Sequence, residues 1–170
     1  MMALALAILV AWAGPVGGPQ VDPIEWLFVA IEAEEGWNGK DPMDDGLTDG
    51  PLGISRLYFE DGIWQLRKEG QHKLADRLEA LGYPEAIKNL DNAKIVSRAF
   101  WRRWEPAAYH LAGQPISKWP VILKPGHRHS PFECLARSHN GGPQWRTKPP
   151  EVRARTAGYW RRVKAAEGER

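Results

Sequence analysis

Residues 22–36 read DPIEWLFVAIEAEEG, and this stretch predicts the first helix of the domain. Asp22 is a favourable N-cap residue, and Pro23 suits the first helical position because an N–H there would have no partner. Gly36 readily adopts the left-handed conformation that ends helices. Between them, apolar side chains recur at three- and four-residue steps, which predicts one packed helix face. That face comprises Trp26, Leu27, Ala30 and Ile31.

The same helix carries the most informative carboxylate. Glu34 follows Leu27 and Ile31 at helical steps, so it is expected to project from the packed face, whereas Glu32 and Glu35 lie about 160° and 100° away, toward solvent. A carboxyl group near the C-terminal end of a helix and beside apolar groups has a raised pKa. Glu34 is therefore a candidate general acid.

The loop after this helix supplies a second kind of carboxylate. Asp44 and Asp45 lie in a polar stretch rich in Gly and Asp, where a hydrated carboxylate stays ionised. One protonated and one ionised carboxyl group are the requirement of glycoside hydrolysis. An ordinary acidic surface loop is the alternative interpretation of the same residues.

A calcium-binding loop of the EF-hand type does not fit this region. With Asp41 as the first ligand, Asp45 and Gly46 match, but Met43 and Leu52 occupy positions that need oxygen ligands. We therefore predict no metal site here.

The remaining patterns are helical, and no internal repeat is visible. Residues 50–59 predict a small strand or a turn that leads into a helix, and residues 105–130 show little regularity. The sequence predicts a mainly α protein with one compact domain and at most one small sheet or hairpin beside a cleft. The predicted helices contain Ile63–Leu66, Leu74–Leu81, a segment capped by Asp91 that reaches Trp104, a short segment capped by Ser130, and Pro150–Ala166.

The chain has 170 residues, enough for one domain, and its 23 Lys and Arg nearly balance its 21 Asp and Glu. Residues 1–13 form an apolar run that ends in Ala11-Trp12-Ala13 and is too short to span a bilayer. This pattern predicts a cleaved signal peptide, with a buried N-terminal helix as the alternative. A linker at 14–22, the domain at 23–166 and a tail at 167–170 complete the predicted organisation.

Single residue types narrow the chemistry further. Cys134 is the only cysteine, so no intramolecular disulfide can form, and its apolar helical setting predicts core packing. His127 and His129 lack a persuasive third ligand for zinc, and we predict no cofactor. Nine tryptophans exceed the needs of a core of this size, which favours stacking surfaces for a ligand. The candidates are Trp37, Trp64 and Trp145.

Four stretches of the chain form a recognisable combination. They are AEEGW at 33–37, DDGLTDGPLGI at 44–54, LARSHNGGP at 135–143 and TAGYWRRV at 156–163. Together they resemble the lysozyme-like superfamily, most closely the invertebrate-type lysozymes and their bacterial secreted relatives. The resemblance implies an α+β lysozyme-like fold, with the catalytic glutamate at Glu34 and the loop aspartate at Asp44.

The chain departs from that family pattern at several positions. Gly53 stands where the family has Gln, Glu35 stands where it has Ser, and the disulfides of the invertebrate enzymes are absent. Phage-type lysozymes read Glu-Gly at the acid, and an alignment to them selects Glu35 instead of Glu34. Both alignments remain open from the sequence.

The resemblance implies an exported glycosidase, periplasmic or extracellular, that cleaves β-1,4 linkages of peptidoglycan as a lysozyme or a lytic transglycosylase. Glu34 would protonate the glycosidic oxygen, and Asp44 would stabilise the transition state or position a water. We expect a monomer acting on a polysaccharide, peptidoglycan or a chitin-like glycan, with no stable membrane insertion after signal cleavage. The residues predicted to bind the substrate are Trp37, Ile54, Tyr58, His139, Asn140, Gly141 and Trp145; His139 is expected to shape the Gly-Gly turn.

Two other functions compete with this interpretation. A catalytically inactive envelope protein that binds glycan would account for the departures at Gly53 and Glu35. The Arg-rich C-terminal half could instead favour nucleic acid, with a salt-dependent affinity. The predicted export signal argues against nucleic acid, so we expect no such partner.

Overall fold

The first helix begins and ends at the residues that its capping pattern predicts. In the computed structural model, which describes residues 22–36, 48–114 and 129–168, helix α1 spans Pro23–Glu35. Asp22 Oδ1 accepts a hydrogen bond from the Ile24 N–H at 2.9 Å, and Gly36 ends the helix with a φ of 63°. The predicted signal peptide, residues 1–13, lies outside the described residues.

The other elements are also helical, so the prediction of a mainly α, single-domain protein is confirmed. Within the described residues, the one β feature is an antiparallel bridge between Asp49 and Ile54, with N···O distances of 3.0 and 2.8 Å. It closes a turn that leads into the second helix. The elements after α1 are α2 (Arg56–Lys68), α3 (His72–Leu81), α4 (Glu85–Lys88), α5 (Leu90–Trp104), α6 (Pro106–Ala112), α7 (Pro131–Gly141), a 3₁₀ turn (Trp145–Thr147) and α8 (Pro150–Gly168).

Two local predictions are corrected. Asn89, not Asp91, caps α5, because its side chain accepts a hydrogen bond from the Asn92 N–H at 3.0 Å. Residues 106–112, predicted to be irregular, form α6, which Pro106 starts and Leu111 anchors in the interior. A helix of seven residues, about two turns, carries too little periodicity to be recognised from sequence.

Close helix packing places the candidate site. Helix α2 crosses α5 at Gly62, where a Cβ atom would lie 2.8 Å from Val96 Cγ1. At the same crossing Tyr58 stacks on Phe100 with ring centroids 3.6 Å apart. Helix α8 packs on both α7 and the C-terminal part of α1. None of the helices in the described ranges combines the length and apolarity needed to cross a membrane.

Candidate active site

A cavity of about 610 Å³ opens at the C-terminal end of α1. The turn at 48–55 forms one wall, α2 forms another, and the end of α7 closes the floor. Acidic, aromatic and glycine residues share its surface. Its lining includes Glu35, Gly53, Leu57, Tyr58, Glu60, Asp61, Phe100, and His139 through Pro143.

Glu35 is the carboxylate of α1 that lines this cavity. Its Oε1 accepts a hydrogen bond from the Tyr159 hydroxyl at 2.7 Å. Its Oε2 lies over Gly53, where a Cβ atom would approach to 2.7 Å. A side chain at position 53 would therefore collide with Glu35, so glycine leaves Glu35 its place at the cavity wall. The helical-phase prediction that Glu35 points to solvent is wrong.

The surroundings of Glu35 keep its carboxyl group protonated to higher pH than usual. Burial is the largest effect and raises the pKa of Glu35, while the Tyr159 hydrogen bond lowers it. The adjacent charge of Glu34 raises the pKa, and Arg162 lowers it. The net shift is upward, as a general acid near neutral pH requires.

Glu34, the acid selected from the sequence, lies in a different environment. Its Oε1 accepts a hydrogen bond from Arg162 Nε at 2.5 Å, and its side chain is 16% exposed. Glu34 is not among the residues that line the cavity. Tyr159 and Arg162 are one helical turn apart on α8, so this helix holds the two adjacent carboxylates of α1 by different partners.

His139 joins α7 to the turn that carries Gly53. Its Nε2–H donates to the Leu52 carbonyl at 2.6 Å, which leaves Nδ1 to accept from the Tyr58 hydroxyl at 3.1 Å. Burial lowers the pKa of His139 to about 4, so the ring is neutral. Both ring nitrogens are occupied, so His139 positions the wall of the cavity. It bonds the 49–54 turn rather than the Gly-Gly turn.

Asn140 and Gly141, which are predicted to bind substrate, also lie at the cavity floor, and their binding of substrate stays a prediction. Asn140 Oδ1 is buried and has no hydrogen-bond partner in the described part of the chain, so it does not bond its own backbone there. A Cβ atom on Gly141 would lie 2.4 Å from Thr156 Cγ2, so glycine permits the close approach of α7 and α8.

Two residues predicted to bind substrate belong to the core instead. Ile54 is fully buried, and its backbone is occupied, because its carbonyl accepts from the Tyr83 hydroxyl and the Asp49 N–H while its own N–H donates to the Asp49 carbonyl. Trp145 is 2% exposed, its Nε1–H donates to Glu105, and the Arg137 guanidinium lies 3.9 Å from its ring centroid. The pattern after the Gly-Gly turn could not reveal this burial, because Glu105 lies between α5 and α6 and Arg137 lies on α7.

Sequence reasoning missed the carboxylates of α2 that line the cavity. Glu60 is exposed, whereas Asp61 accepts hydrogen bonds from Trp104 Nε1 at 2.8 Å and Arg103 Nη1 at 2.7 Å. The helical spacing from Tyr58 could have indicated Asp61, since it lies one turn further along α2. The predicted residues Trp37 and Asp44 lie outside the described residues.

Within the described ranges no group of three or more His, Cys, Asp or Glu residues could hold a metal ion.

The basic C-terminal half is largely internally paired. Many of the arginines counted in the basic half form salt bridges, which removes them from a free anion-binding surface. These are Arg98, Arg102, Arg103, Arg137, Arg146 and Arg162.

Comparisons of the chain with protein-family models, with curated proteins and with solved structures find no match.

Proposed function

We propose that the protein is a glycosidase that cleaves β-1,4 linkages of peptidoglycan, with Glu35 as its general acid. The observation that carries this proposal is the carboxyl group of Glu35, which lines an open cavity and has a raised pKa. A protonated carboxyl group at the edge of a cleft is what protonation of a glycosidic oxygen requires. Glu34, the residue selected from the sequence, pairs with Arg162 and lacks this access.

Hydrogen bonding assigns a role to each oxygen of Glu35. Tyr159 donates to Oε1, so the proton is available on Oε2, the oxygen that lies over Gly53 at the cavity wall. Proton transfer to the leaving oxygen generates a carboxylate, which the Tyr159 hydroxyl then stabilises. Asn140 lies at the floor of the same cavity, where its side-chain amide would contact the acetamido group of an N-acetylated sugar.

The second half of the reaction has two forms under this proposal. Asp44 remains the proposed loop carboxylate that stabilises the oxocarbenium-like transition state or positions a water, as in a lysozyme. Without such a partner, Glu35 would act as acid and then as base in a lytic transglycosylase. Products with a free reducing end distinguish hydrolysis from the internal anhydro product of transglycosylation.

The test measures soluble fragments released from purified cell-wall sacculi by the wild type, Glu35→Gln and Glu34→Gln. We expect Glu35→Gln to lower the rate at least about 100-fold while leaving binding to sacculi intact. Glu34→Gln serves as the matched control, because it makes the same carboxyl-to-amide replacement at the neighbouring residue. We expect this variant to retain most of the activity. Equal activity of Glu35→Gln and the wild type would overturn the assignment.

The pH dependence gives an independent check on the same residue. Activity should fall as pH rises through the pKa of Glu35, because the acid must be protonated. Glu34→Gln removes a charge that raises this pKa, so the fall should occur at lower pH. Tyr159→Phe removes a hydrogen bond that lowers it, so the fall should occur at higher pH.

A catalytically inactive glycan-binding protein is the alternative of another class. Asp61, the other partly buried carboxylate of the cavity, already accepts from Trp104 and Arg103, which favours this alternative over a two-carboxylate enzyme. It requires wild-type binding to sacculi without fragment release. Both functions include export by the predicted signal peptide, which cell fractionation of the full chain would test.

A further inference from the structure

An exposed apolar face of α2 continues outward from the cavity. Leu57, Asp61 and Trp64 follow each other at steps of four and three residues, which aligns them along one side of the helix. Leu57 and Asp61 line the cavity, whereas Trp64 lies one turn beyond it. Leu57 is 76% exposed and Trp64 is 46% exposed, so both side chains present apolar surface to solvent.

Trp64 packs against Arg103, which an ion pair connects to Asp61 of the cavity wall. The Arg103 guanidinium lies 3.9 Å from the Trp64 ring centroid and 4.9 Å from that of Trp104. Asp61 fixes Arg103 through the 2.7 Å ion pair and fixes Trp104 through its Nε1–H. An exposed indole ring with a fixed orientation loses little conformational entropy when a flat ligand stacks on it.

The spacing suits an extended glycan. Seven residues separate Leu57 from Trp64, which corresponds to about 10 Å along the helix axis. This is close to the length of one disaccharide unit of a β-1,4-linked chain. Glu60, which is exposed and lines the cavity, places carboxylate oxygens beside this path, where they can accept hydrogen bonds from sugar hydroxyl groups.

We propose that Trp64 forms a remote sugar-binding subsite, about one disaccharide outward from Leu57, that selects long glycan chains over short ones. The inference rests on the proposed function, because it extends the same cleft. The occupant is a sugar ring whose C–H face packs on the indole, and the continuity of Trp64 with the cavity wall favours a glycan over an unrelated partner.

The test compares binding of chitobiose and chitohexaose by calorimetry, using Glu35→Gln as a non-cleaving background. We expect Trp64→Ala to weaken chitohexaose binding about tenfold, the size of one aromatic contact, and to leave chitobiose binding unchanged. Trp64→Phe should recover most of the loss. Leu81→Ala on α3 is the matched control, since Leu81 is 50% exposed and lies outside the lining of the cavity.

Each outcome decides one of the two proposals. A background protein that binds neither oligosaccharide nor sacculi contradicts the proposed function itself. If the background protein binds both oligosaccharides and Trp64→Ala changes neither affinity, only the subsite is overturned. The exposed indole is then assigned to another partner. An equal loss for the short and the long oligosaccharide also overturns it, because a remote subsite must act on chain length.

Discussion

Acidification should destabilise the fold through His139. In the folded protein the Nε2–H of His139 donates to Leu52 and its Nδ1 accepts from Tyr58, so a second proton on Nδ1 would break the latter bond. Burial without a charged partner lowers the pKa of His139 from its usual 6.5 to about 4. At pH values between these two pKa values, His139 is therefore protonated in the unfolded chain and neutral in the folded chain.

The sign and size of the effect follow from this difference. The stability that neutral His139 contributes is complete above pH 6.5 and is lost as pH falls toward the folded pKa of about 4. Between pH 7 and pH 5 the free energy of unfolding should fall by about 2 kcal/mol from this residue alone. That is a substantial part of the stability of a domain of this size.

Urea denaturation followed by tryptophan fluorescence at the two pH values measures this loss. The wild type is compared with His139→Gln, because acid also weakens the fold through carboxylates with lowered pKa values, such as Glu25 and Glu69. That loss is the same in both proteins, so it cancels in the difference between their free energies of unfolding. We expect the stability gap between the two proteins to narrow by about 2 kcal/mol at pH 5. His72→Gln, an exposed substitution on α3, is the matched control for the loss of an imidazole ring.

A gap that stays constant with pH would refute the reasoning about His139. If His139→Gln fails to fold, an NMR titration of the His139 ring in the wild type tests the same prediction. The imidazole resonances should show no titration above pH 5, because the group stays neutral there. A midpoint near 6.5 would contradict the geometry in which both nitrogens are occupied.

Other predictions concern the interior. Gly50→Ala should cost about 3 kcal/mol in thermal unfolding, because its Cβ would lie 2.3 Å from a backbone carbonyl, whereas Gly36→Ala, in open space at a similar φ, should cost about 1 kcal/mol. Glu105→Ala should cost about 2 kcal/mol by leaving Trp145 Nε1 buried without an acceptor, and Glu105→Gln should recover part of it in urea denaturation. Burial raises the pKa of Cys134 to about 11, so a thiol reagent at pH 8 should label it much faster after denaturation; rapid labelling of the folded protein would contradict the buried position.

The local chemistry of the chain determined where most helices begin and end. Asp22 and Ser130 each accept a backbone hydrogen bond within their own first turn, and Gly36 needs only its own conformational freedom to end α1. Such interactions span a few residues and are visible in the sequence. The same reasoning placed the end of α7 at the candidate site, because HNGGP carries its own stop signal.

Interactions between distant segments decided what each side chain does at that site. Helical phase favoured Glu34 over Glu35, but a long side chain at a helix end can turn toward whichever partner lies near it. The partners are Tyr159 and Arg162, which are separated from these glutamates by 124 and 128 positions and meet them only because α8 packs on α1. Trp145 likewise became a core residue because Glu105, at the junction of α5 and α6, offers it an acceptor. The sequence by itself determined the helices and the carboxyl-rich end of α1, and the packing of α8 determined which carboxyl group faces the cavity.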